Sequence, residues 1–298
     1  MRELRLLVVY LAAVFMGGPL AAPWLWKAAQ AAAASSSLFA ALAHQPFHRY
    51  VNRCLLVFAL AGLWPLHVAF GRHGRREHGW QGPWLRPLLV GSAIGSASLA
   101  CILLGSLAAG DATLAPDVSP LALARRLASA LGAAACVAVI EEWLFRGLIH
   151  AALRRSLPFA FAATVTSVLF GLVHFFDRPP QPEVVGPLTG LGTLGHMLHG
   201  FTDLTALVPG LLNLCFVGWM LALARERTGA LALSIGIHAG WVLCIKLMGY
   251  LVVRHASEGT LLWGSAKVFD GWAASVVLAS QLLVMHLVTR RASRPDAG

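Results

Sequence analysis

Charge is scarce in this sequence. Of 298 residues only 12% are charged, 23 Lys and Arg against 13 Asp and Glu, while 58% are hydrophobic, and the mean hydropathy is +0.70. A soluble chain of this length must coat its surface with polar groups, so this composition excludes a soluble domain. Several chemical signatures are missing as well. The five cysteines, Cys54, Cys101, Cys136, Cys215 and Cys244, lie in or beside apolar runs and form no C-x-x-C pair. They read as small packing residues rather than a disulfide framework or a zinc site. There is no H-E-x-x-H, no serine in a G-x-S-G setting and no Gly-x-Gly-Asp within an apolar run. No repeat of 20–50 residues is visible. The net charge of +10 would attract nucleic acid if it formed a long patch. Instead the basic residues sit in short clusters between apolar runs, where anionic lipid and membrane topology account for them. The expected partner is a lipid bilayer, with no nucleic acid.

What the chain does have is apolar length. A hydrocarbon core of ~30 Å takes about 20 residues of helix, and lipid offers no partner to the backbone, so spans must be helical. Read on that length, helices are expected at about 6–26, 52–71, 87–109, 128–153, 157–176, 207–225, 230–253 and 271–289. The fold class is therefore all-α, a polytopic transmembrane bundle of about eight helices. The first run is read as a retained helix rather than a signal peptide, because Pro23 directly follows the candidate cleavage residues Ala21 and Ala22. Every second loop is arginine-rich: Arg2 and Arg5; Arg72, Arg75, Arg76 and Arg86; Arg154 and Arg155; Arg225 and Arg227; Arg290, Arg291 and Arg294. The alternate loops carry Asp111, Asp117, Asp177, Glu183, Asp203, Glu258 and Asp270, with Lys27, Arg49 and Arg53 running against the trend. This asymmetry puts both termini in the cytoplasm. The connection from Lys27 to Asn52 reads as an interfacial helix. Residues 177–205, with Pro179, Pro180 and Pro182, read as a loop with a short surface helix. Domain expectations are 1–119 for the N-terminal helices and interfacial segment, 120–253 for the catalytic core, and 254–298 for a loop and the last helix.

Most acidic residues fall in loops, but Glu141 and Glu142 stand inside an apolar run. Such carboxylates are expensive in hydrocarbon and are usually paired and functional. Arg146 is one turn after Glu142, where an ion pair forms readily. Glu141 points about 100° around the helix, so the same arginine does not satisfy it. One paired and one spare carboxylate is what a general base requires; the plainer reading is a structural Glu–Arg lock with a spare Glu. His174 ends the next apolar run and His238 lies in the seventh, and a single membrane histidine is ordinarily a packing residue. Counting from the arginine-rich face, Glu141 and His174 come out at about 20 and 25 Å depth. His238, about eight residues into its helix, comes out too shallow to meet them. A carboxylate can deprotonate a water to attack a peptide carbonyl, with imidazoles holding the oxyanion and protonating the leaving amine. The same groups, Glu141, His174 and His238, are also the set that would bind a divalent metal. A transporter would predict internal symmetry or broken helices, and none is visible.

Together these residues carry a resemblance. Glu141-Glu142-Trp-Leu-Phe-Arg146-Gly147, then Phe170-x-x-x-His174, then Thr228-Gly229 and Gly236-Ile-His238-Ala-Gly-Trp241 resemble the CPBP family of CAAX-prenyl-protease-type (Rce1-like) and bacteriocin-processing intramembrane proteases, also called Abi proteins. The resemblance covers about 120–245. It implies that Glu141 activates the water, Glu142 pairs with Arg146 to hold the helix, His174 orients the nucleophile or polarises the carbonyl, and His238 contributes to the oxyanion site. It implies no metal as the first expectation, with a divalent metal as the alternative. One position departs from it: the family usually has Asn or Asp four residues after the last histidine, and here stands Val242. Asn213 in the preceding span is a candidate replacement, and Lys246 is either a second cation near the site or an interfacial residue. The expected function is an intramembrane endopeptidase that cuts a membrane-associated peptide or protein tail, such as a C-terminal sorting signal or a peptide precursor. A composition rich in Ala, Leu, Gly and Arg looks prokaryotic, which disfavours prenylated substrates and suggests a bacterial inner membrane. The alternative that Val242 favours is an inactive scaffold or immunity protein that binds a partner peptide.

Overall fold

The computed structural model describes residues 2–69, 78–255, 260–264 and 270–292. Arg72, Arg75, Arg76, Glu258 and Arg294, used above to assign loops, lie outside the described residues. Among the described residues the chain forms eleven helices, counting a continuous helix as one. They are α1 (Arg5–Ala32), α2 (Ser37–Ala43), α3 (Phe47–Ala69), α4 (Leu85–Ala108), α5 (Pro120–Arg154), α6 (Phe159–Leu172), α7 (Thr189–Met197), α8 (Leu204–Thr228), α9 (Ala232–Leu251), α10 (Thr260–Trp263) and α11 (Trp272–Ala292). Six of them, α1, α4, α5, α8, α9 and α11, contain stretches long and apolar enough to cross a membrane. The protein is a polytopic helical membrane protein. Among the described residues each of the eight apolar runs read from the sequence falls mostly in a helix, and six of those helices are candidate spans. The run at 157–176 gives a shorter one, because the chain leaves the helix at Leu172 and His174 stands on the turn that follows.

The helices form two compact units, Met1–Arg72 with Phe175–Asp203, and His73–His174 with Leu204–Gly298. In the first unit the connection expected to be one interfacial helix is instead the end of α1, the short α2 and the start of α3. The Ser36 hydroxyl caps α2 by accepting the amide of Phe39. The helix expected on the surface at 177–205 is α7, and it is packed in. Gly190 sits so close to the Pro19 carbonyl that a Cβ has no room, and Met197 is fully buried.

The second unit is organised around α9. Gly91 and Gly95 on α4 face Gly236 and Gly240 on α9, each pair spaced by four residues. Side chains of hydrogen allow the backbones to touch, as in other small-xxx-small packings within membranes. A Cβ on Gly236 would meet the Leu88 carbonyl, and one on Gly95 the Ile237 carbonyl. This contact sets the rotation of α9. His238 lies about 200° around the helix from Gly236, so it faces away from α4 and towards α5. A two-stranded link, three residues long, ties the far ends: β1 (Ala112–Leu114) pairs antiparallel with β2 (Val252–Arg254). The Leu231 amide donates to the Gly79 carbonyl at the start of α9.

Gly236→Val forces a branched side chain against a backbone carbonyl that cannot turn aside. Overpacking of this kind costs about 1–3 kcal/mol, so the thermal midpoint in detergent should fall by at least about 2 °C. An unchanged midpoint would show that the α4–α9 contact is looser than described.

Candidate active site

The site lies inside the second unit, where α5, α6 and α9 each bring one motif. At Trp143, immediately after Glu142, α5 widens into a π-helical stretch that runs to His150. Such stretches recur at functional sites. Here the wider turns hold Arg146 inward, fully buried. Its Nη1 donates to Glu142 Oε1 at 2.9 Å and its Nη2 to the Gly218 carbonyl at 3.2 Å. The guanidinium also lies over the Phe170 ring, 4.7 Å from its centroid, a favourable cation–π contact where water is excluded.

Glu142, also fully buried, accepts a second hydrogen bond. His238 Nδ1 lies 3.0 Å from the same Oε1. The sequence-based count left His238 too shallow, but this bond puts it level with Glu142. The wider π-helical turns advance less per residue than a regular helix, which shortens the count from Arg154. Glu141 is different. Its side chain is 27% exposed, and its buried Oε2 has no hydrogen-bond partner. It faces His174 Nε2 at 4.0 Å and His238 Nε2 at 3.9 Å. The structure therefore brings all five expected residues, Glu141, Glu142, Arg146, His174 and His238, into one connected group.

The hydrogen bonds assign the histidine protons. His174 Nδ1 is 2.7 Å from the Phe170 carbonyl, which only accepts, so Nδ1 carries the proton. The same reasoning puts a proton on His238 Nδ1, because Glu142 accepts from it. In their neutral forms both rings thus aim an Nε2 lone pair at the Glu141 carboxylate. Three acceptors converge on one small volume, and each needs a proton from elsewhere.

Two secondary candidates fall away. The Asn213 amide donates to the Gly271 carbonyl at 2.9 Å, and Asn213 does not line the cavity beside His238. Lys246 is exposed, as expected of an interfacial lysine. Val242 does line that cavity, with Leu99, Phe170, His174, His238 and Trp241. The space measures about 90 Å³ and its walls are apolar apart from the two imidazoles. The Trp241 indole N–H is engaged by Ser98 Oγ at 2.7 Å.

Sequence reading missed two contributors. Gly218 offers the carbonyl that receives Arg146, and a Cβ there would lie 2.7 Å from Ser167 Cα. Phe170 touches Arg146, His174 and His238 with one ring. The motif spacing marked Phe170 as a position but not as the piece that joins the three. As for metal, zinc ligands at ~2.0–2.1 Å in a tetrahedron stand about 3.4 Å apart. Glu141 Oε2 is wider than that from both imidazoles, and among the described residues no three His, Cys, Asp or Glu side chains form a metal-holding group.

A helical bundle with an ionisable centre enclosed among its apolar spans places the protein in the class of polytopic membrane proteins with an intramembrane site. Comparison narrows that class. Residues 123–244 match the model of the type II CAAX prenyl endopeptidase Rce1-like family. That stretch is similar to a family of glutamate-type intramembrane proteases, and the similarity implies an intramembrane endopeptidase. No curated protein and no solved structure matches the chain.

The buried pair sets a double-variant prediction. Arg146→Met alone strands the Glu142 charge and should cost about 3–5 kcal/mol, read as a loss of folded protein in the membrane. Glu142→Gln with Arg146→Met should restore much of that protein while leaving it inactive. If the double variant is as depleted as the single one, the pair is not a mutual neutralisation.

Proposed function

We propose that the protein is an intramembrane endopeptidase in which Glu141 activates a water to cleave a membrane-associated peptide or protein tail. The observation that carries this reading is the unpartnered Glu141 Oε2 at 3.9 and 4.0 Å from two imidazole nitrogens. Those gaps are too long for direct hydrogen bonds but suit a bridging water. Hydrogen bonds of about 2.8 Å on either side would meet at the water at roughly 90°. The water gives one proton towards Glu141 and the other towards His174 Nε2, which leaves its lone pair free for the carbonyl carbon. Glu141 takes the proton as the C–O bond forms and returns it to the amine as the C–N bond breaks. His238, when it carries a second proton, donates from Nε2 to the developing oxyanion. The Glu142 carboxylate behind its other nitrogen stabilises that imidazolium, the part a buried aspartate plays in serine proteases.

The apolar cavity beside the two histidines supports an aliphatic side chain next to the scissile bond. The prokaryotic look of the composition supports a sorting tail or a peptide precursor over a prenylated one. The reaction needs no metal in this reading, and the wide spacing of the donors supports that. We place the termini on the cytoplasmic side, from the arginine distribution, and the protein in a bacterial inner membrane. Val242, which provides no donor, favours one competing reading: a scaffold that binds its peptide and does not cut it.

Glu141→Gln keeps the shape and removes the base. Cleavage of an accumulating precursor should fall by about 10²–10⁴ at a normal membrane level of the protein, and His174→Ala should behave alike. Intact biological function in Glu141→Gln would hand the protein to the scaffold reading. Cleavage by the purified enzyme should also survive an excess of chelator, and its loss with recovery on adding back a divalent ion would overturn the metal-free reaction.

A further inference from the structure

The cavity beside the two imidazoles has a mouth and a floor. Of its lining residues, His174, Val242 and Ile245 are the ones that stay partly exposed. Ile102, Leu214, Ala274 and Leu278, from α4, α8 and α11, are buried and close the far side. The opening therefore lies where His174 stands, and His174 Nε2 is 4.0 Å from the Glu141 carboxylate. Val242 follows His238 by one turn of α9, so one helix face supplies an imidazole and then an apolar wall. Size is the second observation. The space measures about 90 Å³, whereas an engineered apolar cavity of about 150 Å³ holds one benzene ring. It is too small for a phenyl group and suits a branched aliphatic group of three or four carbons. Charge is refused as well. The lining holds no Asp, Glu, Lys or Arg, and both imidazoles turn Nε2 to Glu141. A charged side chain entering it would lose its water without gaining a partner.

We propose that Val242 and Ala274 decide which peptides the site accepts: beside the scissile bond they admit Val, Ile or Leu and refuse aromatic and charged residues. The proposal builds on the protease reading and names its substrate class. Val242 narrows the mouth, and Ala274, on α11, sets the depth of the floor. A β-branched side chain holds one strongly preferred rotamer in a helix, so the wall at 242 is stiff, as discrimination by shape requires. An Asn or Asp at that position would instead set a polar group against an otherwise apolar lining, at a cost unless it found a partner. The valine that departs from the resemblance therefore has a use of its own. It completes a pocket in which each methylene of the substrate is worth about 10–200-fold in selectivity.

The test presents the full-length protein in phosphatidylcholine vesicles with palmitoylated peptides of randomised sequence, and identifies the products by mass spectrometry. One of the two positions flanking the cut should favour Val, Ile and Leu over Phe, Tyr and Trp by at least about tenfold. Val242→Ala removes two methyl groups from the wall and should raise Phe at that position about tenfold relative to Leu. Ala274→Leu fills the floor and should shift the same position towards Ala and Gly. If it fails to fold, the partly exposed Val242 carries the comparison alone. Leu243→Ala, on the same helix but lining a separate groove with Trp84 and Val139, should leave the pattern as it was. A second arm measures which peptides the Glu141→Gln protein retains uncut. Retention selective for aliphatic residues and broadened by Val242→Ala, with no cleavage by the unaltered protein, keeps the pocket and sinks the protease reading. The proposal is overturned if the preference is absent, if Val242→Ala does not move it, if Leu243→Ala moves it equally, or if the peptides are neither cut nor retained.

Discussion

The second unit depends on a charge that has nowhere else to go. Arg146 and Glu142 are both inaccessible to solvent, in a chain with few other charged residues to answer them. An isolated charge there would cost several kcal/mol even after relaxation, so neither residue can be moved without the other. Much of the local structure follows from accommodating the pair. The π-helical stretch turns Arg146 inward, Gly218 gives up its side chain so that its carbonyl can reach the guanidinium, and Phe170 covers the cation with its ring. His238 completes the arrangement by donating to the same carboxylate oxygen that Arg146 uses. One ion pair thus ties together α5, α6, α8 and α9.

Adjacent glutamates therefore divide their work by direction. Glu142 faces the bundle, where its Oε1 answers both Arg146 and His238. Glu141, about 100° round the helix, reaches the margin where its side chain is partly exposed and one oxygen has no partner. A single helical register buries one of them in the ion pair and leaves the other at the partly exposed margin. Swapping the two would leave Arg146 unpaired, so their order carries information that the composition does not.

How far could this be read without coordinates? The eight helical runs were legible because the hydrocarbon thickness fixes a length and polar residues mark the ends. The Glu142–Arg146 pair was legible because it is local, four residues apart on one helix. The meeting of Glu141 with His174 and His238 was legible only as an expectation, since it joins three spans across almost a hundred residues. Its depth estimate failed for His238 because counting residues assumes a regular, upright helix, and neither the π-helical stretch nor tilt can be counted from one sequence. Gly218 and the cavity beside His238 were invisible for a related reason. A glycine is defined by what touches it, and a cavity by residues from separate helices. The helix at 189–197 read as a surface element, since nothing in its own sequence says that Pro19 lies against Gly190.

Val242 sharpens the question of what holds the oxyanion. Around the cavity beside His238 the obvious donors are engaged elsewhere: the Trp241 indole by Ser98, and the Nδ1 proton of His174 by the Phe170 carbonyl. Asn213, in the neighbouring span, donates to Gly271. On the proposed reaction the side-chain donor left is therefore His238 Nε2, and it donates only when that ring is charged. A charged donor is worth roughly twice a neutral one, which offsets the loss of the Asn or Asp that the resemblance leads one to expect at 242. The price is that the imidazolium needs an anion behind it. Glu142 fills that place and still answers Arg146, so the structural pair and the oxyanion donor share one oxygen. In this protein the lock that holds the helices is then also the counter-charge for the reaction, and a change made to either function is felt by the other.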